Sequence, residues 1–251
     1  VTIEPETGLT TVCELTPAAG AHNTDAAVGA RMVAADQTLP DHRERQESSS
    51  ENVGTSDREN AGDGETGDDQ SQTEILGDSA YATGEVLDEL EKSGRRAVLK
   101  PKPLPPAVDG GFTLDDYLFD DDSNTLTCPN GVARPVSEAG RATFKTACRG
   151  CPLRARCTTS KTGRIVLLGK HHRIQRAHRQ RARDEEFQQV YRQYRPMVER
   201  TIAWLTRDNR RLRYIGVEKN DQWLHQRLAG INLKRLLALG LAVENGAWTI
   251  A

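Results

Sequence analysis

The chain has 251 residues, 36% of them hydrophobic and 28% charged, and a mean hydropathy of -0.64, which is enough for one core of moderate size plus an added module but not for a chain that is globular throughout. Its longest apolar run, residues 236–243, is far shorter than the roughly 20 residues that span a bilayer, and no charged-then-apolar leader opens it, so no spanning helix and a cytoplasmic protein are expected. The net charge of -2 conceals an asymmetry: from Asn124 to Ala251 there are 25 Lys plus Arg against 9 Asp plus Glu, net +16, leaving 9 against 27, net -18, before it.

In chain order, residues 1–3 and 9–15 alternate like strands around Glu4-Pro5-Glu6-Thr7-Gly8, which predicts an opening β-hairpin with Cys13 as a buried free thiol. Asn23 or Thr24 can cap a helix to about Asp36, with Ala27, Val28, Met32 and Val33 facing inward. Residues 41–73 carry 10 acidic side chains against three Arg and no aromatic, too little apolar surface to offset ordering entropy, and read as a disordered acidic insertion. Structure resumes with a strand over 74–78 that ends in Asp78, a helix over 84–92 and a strand over 96–100. The prolines of residues 101–106 enforce an extended segment and mark a module boundary.

Cys128, Cys148, Cys151 and Cys157 follow, with a Cys-x2-Cys pair among them. In an intracellular chain that spacing predicts a structural, tetrahedral zinc site, stapling a segment with little core of its own beside a small apolar cluster of Phe112, Leu114, Tyr117, Leu118 and Phe119. Residues 164–168 are expected to return to the main sheet, followed by a charged helix from His172 to Arg195. His171, His172 and His178 read as solvated helix residues. Arg173, Arg176, Arg179 and Arg183, continued by Arg207, Arg210 and Arg211, form a positive surface suited to the backbone of DNA. A last amphipathic helix spans about 221–239, and Trp204, Trp223 and Trp248 are expected in the core.

Tyr191, Arg195 and Glu199 are four apart and share one line on a helix. A solvated ion-pair ladder has the same pattern, and Pro196 predicts a kink or a helix start at that point. The neighbouring elements favour chemistry, because a carboxylate ending a strand (Asp78) and another on a later helix (Glu199) suit metal-dependent phosphoryl transfer.

Four runs, Gly-Asp-Ser-Ala-Tyr at 77–81, Leu-Lys-Pro-Lys-Pro-Leu at 99–104, Cys-Arg-Gly-Cys-Pro-Leu-Arg-Ala-Arg-Cys at 148–157 and Arg-Pro-Met-Val-Glu-Arg-Thr-Ile-Ala-Trp-Leu at 195–205, resemble the DDE transposases of bacterial insertion sequences, in the branch with a cysteine-rich insertion. The likeness covers most of residues 1–40 and 74–251. It implies an α/β fold, a ribonuclease-H-like mixed sheet flanked by helices. Residues 1–40 would supply its second and third strands and first helix, 41–73 the acidic insertion, 74–102 the element with the second carboxylate, 103–163 the zinc-binding insertion, and 164–251 the return strand and the helices with the third carboxylate. By this resemblance Asp78 and Glu199 hold Mg2+ or Mn2+, Arg195 and Tyr191 touch the scissile region, and double-stranded DNA, as element ends and target, is the partner; a homodimer is left open. The resemblance departs in three places. Three residues separate Tyr191 from Arg195 where the family has two, the family's downstream lysine falls at Thr206 beside Arg207, and the first aspartate belongs before the opening hairpin, where Asp36 and Asp41 do not lie. The expectation is therefore an N-terminally truncated catalytic portion, inactive alone, with a DNA-binding regulatory remnant or a degenerate gene product as alternatives.

Overall fold

A computed structural model describes residues 1–39, 73–207 and 211–250. The acidic insertion read over 41–73 lies outside the described residues except for Thr73, and so does Arg210. Two compact units are formed, one from Val1–Lys100 with Ala182–Ala251, the other from Pro101–Arg181. No described helix is long and apolar enough to cross a membrane.

The first unit opens on β1 (Thr2–Ile3) and β2 (Thr10–Val12), antiparallel. The turn between them is organised by Glu4, whose carboxylate accepts from the Thr7 hydroxyl, from Thr7 N at 2.7 Å and from Glu6 N at 3.1 Å. Burial works to raise the Glu4 carboxyl, but these hydrogen bonds prevail and hold it below its ordinary value. Thr24 caps α1 (Asp25–Ala35) through Ala27 N. In α1, Gly29 lies against the Tyr81 ring so closely that a Cβ there would sit 2.6 Å from a ring carbon. Next come β3 (Glu74–Gly77), α2 (Gly84–Lys92) and β4 (Arg96–Leu99), a βαβ unit whose strands pair in parallel from Glu74 opposite Arg96 to Gly77 opposite Leu99. The helix buries Leu87 and Leu90, and the strand buries Ala97, Val98 and Leu99.

The second unit has β5 (Leu118–Asp120), β6 (Thr125–Thr127) and β7 (Ala133–Pro135) as an antiparallel meander, joined by a Val136–Ala142 bridge to a hairpin of β8 (Arg141–Thr143) and β9 (Ile165–Leu167). This corrects the expected return strand: residues 165–167 pair locally with 141–143, because Val166 and Ala142 alternate into the same core. That core also contains Tyr117, Leu126 and Phe144, each about 1% exposed. The module therefore has an apolar core of its own, contrary to the sequence reading, and Leu118, assigned to its cluster, is 65% exposed. Helix α3 (His172–Arg181) ends the unit instead of running on to Arg195, and His178 on it is buried, not solvated.

Back in the first unit, α4 (Glu185–Thr206) packs Phe187, Val190 and Tyr191 on Leu76 and Val98. It is continuous through Pro196, so the predicted restart does not occur; only one backbone donor is lost, within a helix anchored by buried residues on either side, Phe187 and Thr201. Its last carbonyls, of Trp204 and Leu205, accept from Arg227 on α5 (Val217–Ala238). From the same helix, Asn232 takes both the N–H and the C=O of Thr10, at 2.9 and 2.8 Å. A side chain thus occupies the backbone of β2 where a further strand would pair. Among the described residues β1–β2 and β3–β4 are separate small sheets, so the expected single mixed sheet appears as pieces of a mixed α/β arrangement compatible with a DDE or ribonuclease-H-like domain. A last hairpin pairs β10 (Ala242–Glu244) with β11 (Ala247–Thr249), and its Trp248 is 73% exposed, not in the core. Cys13 lies just past β2 and is half-buried, its Sγ 3.3 Å from His225 Nδ1.

Candidate functional site

Asp78 is exposed in the turn that follows β3, and its Oδ1 accepts from Ala80 N at 2.8 Å. This Asx-type bond fixes the carboxylate at the strand end and leaves its second oxygen without a hydrogen bond among the described residues. Helix α4 starts beside the beginning of β4, where Glu186 pairs with Arg96 at 2.9 Å, and passes Leu76 and Val98 at Val190 and Tyr191. Glu199 is about two turns beyond Tyr191 on the same helix. The shared helix line expected for Tyr191, Arg195 and Glu199 is present in the geometry: Arg195 Nε donates to Glu199 Oε1 at 2.7 Å, and its guanidinium lies 5.6 Å from the centre of the Tyr191 ring. Tyr191 in turn stacks on Phe187 at 6.5 Å. Among the described residues no three His, Cys, Asp or Glu side chains are placed together to hold a metal ion. Asp36, an acidic residue of the same unit, is 8% exposed and consumed by the fold, accepting from the hydroxyls of Thr11 and Thr38 and from Thr38 N.

The four cysteines of the second unit line one pocket, with Phe112, Tyr117, Phe144 and Arg164. Their surroundings fit thiolates. The Tyr117 hydroxyl lies 2.9 Å from Cys157 Sγ, Arg164 N donates to Cys148 Sγ at 3.4 Å, and the buried Nε of Arg164 has no partner. Burial, then the neighbouring Cys157, push the Tyr117 phenol well above its ordinary value. As placed, the sulfurs do not form a closed metal site. Tyr117 and Arg164 are the residues here that sequence reasoning missed as site residues; for Arg164 the one available signal was its nearness in sequence to Cys157.

The arginines assigned to DNA divide sharply. Arg179 binds Asp115 through Nε and Nη2 at 2.7–3.0 Å, both side chains largely buried. Arg176 donates to the carbonyl of Tyr117 at 2.6 Å, and Arg173 pairs with Asp121 at 2.5 Å over the Phe119 ring. Arg183 and Arg207 are exposed, each with an interaction inside the protein, while Arg211 is exposed.

Residues 127–237 match the family model of the transposase DDE domain. The matched stretch runs from the end of β6 almost to the end of α5, and it includes the four cysteines, Tyr191, Arg195 and Glu199 but not Asp78. This stretch, 111 of the 251 residues, is similar to a transposase DDE domain. No curated protein and no solved structure matches the chain.

Proposed function

We propose that this chain is a catalytic-domain portion of a DDE transposase acting on the DNA ends of an insertion sequence, with Asp78 and Glu199 as two of the ligands for a pair of Mg2+ or Mn2+ ions. The observation that carries this reading is the placement of Glu199, inside the stretch matching the DDE domain, on the helix that packs on β3, the strand just before Asp78. When bound, such ions stabilise charge on the transferred phosphoryl group. The protein's own part is to orient: the Asx turn fixes Asp78, and Arg195, braced on Tyr191, fixes Glu199 and presents a cation beside it. In the second unit, Cys128, Cys148, Cys151 and Cys157 are proposed to hold one structural Zn2+, with Tyr117 and Arg164 donating to the thiolates.

Asp78 and Glu199 are two of the three carboxylates that the resembled family uses, and binding of DNA and of Mn2+ is proposed for this chain. The test is Mn2+ titration followed by electron paramagnetic resonance, together with a strand-cleavage assay on element-end DNA. Mn2+ binding that weakens at least tenfold in Glu199→Ala and in Asp78→Ala supports the carboxylate site. Strand cleavage that Asp78→Ala abolishes would show that Asp78 serves the reaction itself. A non-catalytic DNA-binding role is the second reading, favoured by the Arg195–Glu199 pair, which neutralises the carboxylate in the absence of an ion; Mn2+ binding indifferent to both substitutions selects it.

A further inference from the structure

From Lys145 to Arg181 the sequence carries 11 Lys plus Arg and no Asp or Glu. The second unit splits this run in two. On α3, Arg176 and Arg179 are turned onto the Tyr117 carbonyl and Asp115 and hold the unit together, while Arg173 is paired with Asp121 at the exposed surface. Lys145, Arg149 and Lys161 are exposed, and their side chains make no hydrogen bond or ion pair among the described residues.

These three are brought together by two turns set back to back. In the first, Cys148 N bonds Phe144 O at 3.0 Å and Arg149 N bonds Thr146 O at 3.2 Å; in the second, Gly163 N bonds Ser160 O at 3.2 Å. The turns touch where Gly163, at φ +98°, approaches Lys145 so closely that a Cβ on it would lie 2.9 Å from Lys145 Cα. Arg154 stiffens the second turn by donating to the carbonyls of Ser160 and Lys161, at 3.2 and 2.8 Å. The result is a lip around the cysteine pocket that carries several cations and hydroxyls and no carboxylate.

We infer that these two turns, and not the arginine-rich helix α3, are the face of this unit that grips the phosphate backbone of duplex DNA; the inference rests on the transposase reading and names its DNA-contacting surface. Phosphate contacts need cations, hydroxyls and exposed loop backbone, carry no sequence information, and are weakened by any nearby carboxylate. The lip meets each condition. It also gives the cysteine module a role beyond stability, since the spacing of its cations depends on the turns that Cys148 and Cys157 flank.

The test is binding of the full chain to a short labelled DNA duplex by fluorescence anisotropy across a salt series, comparing the wild type with K145A/R149A/K161A and with a control, K102A/K219A/K234A, of equally exposed cations. Each lost phosphate contact removes about 0.9 from the slope of log affinity against log salt. The lip variant is expected to flatten the slope by roughly 2–3 and to bind at least about tenfold more weakly at low salt. The control is expected to stay near wild type, and K145R/K161R to retain binding. A lip variant with wild-type slope and affinity overturns the inference while leaving the transposase reading intact. A wild-type chain that binds no duplex at low salt overturns both.

Discussion

Arg179 and Asp115 form a two-pronged ion pair across 64 residues of sequence, at 2.7–3.0 Å, with side chains only 16% and 15% exposed. It ties α3 to the turn that leads into β5. Removing one partner strands a buried charge, which costs on the order of 3 kcal/mol. Asp115→Ala is therefore expected to destabilise the second unit by about that amount in urea unfolding, and pairing it with Arg179→Leu should restore part of the loss. Neither change should alter the salt dependence of DNA binding in a sample still folded. A flattened salt slope in the folded double variant would return Arg179 to the DNA-binding set.

Asn232 tests how the opening hairpin is held. Its amide satisfies both polar groups of Thr10, and Arg235 adds a bond to the Thr7 carbonyl. Asn232→Ala leaves two backbone groups without their partner, at about 1 kcal/mol each. A loss of about 2 kcal/mol is expected, with hydrogen exchange at Thr10 and Val12 accelerating before exchange in the β3–β4 pair. Uniform acceleration across the unit would show that the hairpin is not a separate local element.

Much of the first unit was legible in the sequence. The bounds of α2 match the prediction because Thr83, Leu87 and Leu90 give cap and apolar stripe within one short stretch, and the Tyr191–Arg195–Glu199 line follows from helical spacing alone. What escaped depends on partners far along the chain. Residues 165–167 look like any buried strand until Ala142 is known to pair with Val166, and Arg179 looks like a DNA-binding cation until Asp115 is found beside it. Trp248 was assigned to the core on residue type, yet its hairpin pairs it with Val243, both exposed. Asp78 and Glu199 were legible as carboxylates after a strand and on a helix, and their joint use as a site is the proposal made above. The position of Asp36 after the first helix was legible too, but its hydrogen bonds to Thr11 and Thr38 were not.

Asp36 makes an acid-stability prediction. Burial acts to raise its carboxyl, but hydrogen bonds from Thr11 and Thr38 outweigh it and hold the group below its ordinary value. A carboxyl depressed in the folded state contributes stability above its unfolded value, near 3.9, and that contribution is lost as pH falls through the lower folded value. Wild-type stability is thus expected to fall below about pH 4, and Asp36→Asn, less stable at neutral pH, should narrow the gap to wild type as the medium is acidified. Parallel pH profiles for the two proteins would remove Asp36 from the account.

Zinc removal separates two accounts of the second unit. If thiolates alone held it, chelation would abolish its cooperative melt, as for a small metal-dependent domain. The core of Tyr117, Leu126, Ala142, Phe144 and Val166 argues otherwise. One zinc per chain is expected by metal analysis, lost in Cys151→Ser. A chelator should lower the melting temperature and leave a cooperative transition. Phe144→Ala, at about 3–5 kcal/mol for a fully buried aromatic, should be the more damaging change. Tyr117→Phe keeps the ring in the core but removes the hydroxyl 2.9 Å from Cys157, so it should weaken zinc roughly tenfold with little effect on the chelated protein. A chain that purifies without zinc and is indifferent to chelator would leave the cysteines as packing residues of a self-sufficient core. Zinc with complete unfolding on chelation would show that the apolar cluster cannot stand without the metal.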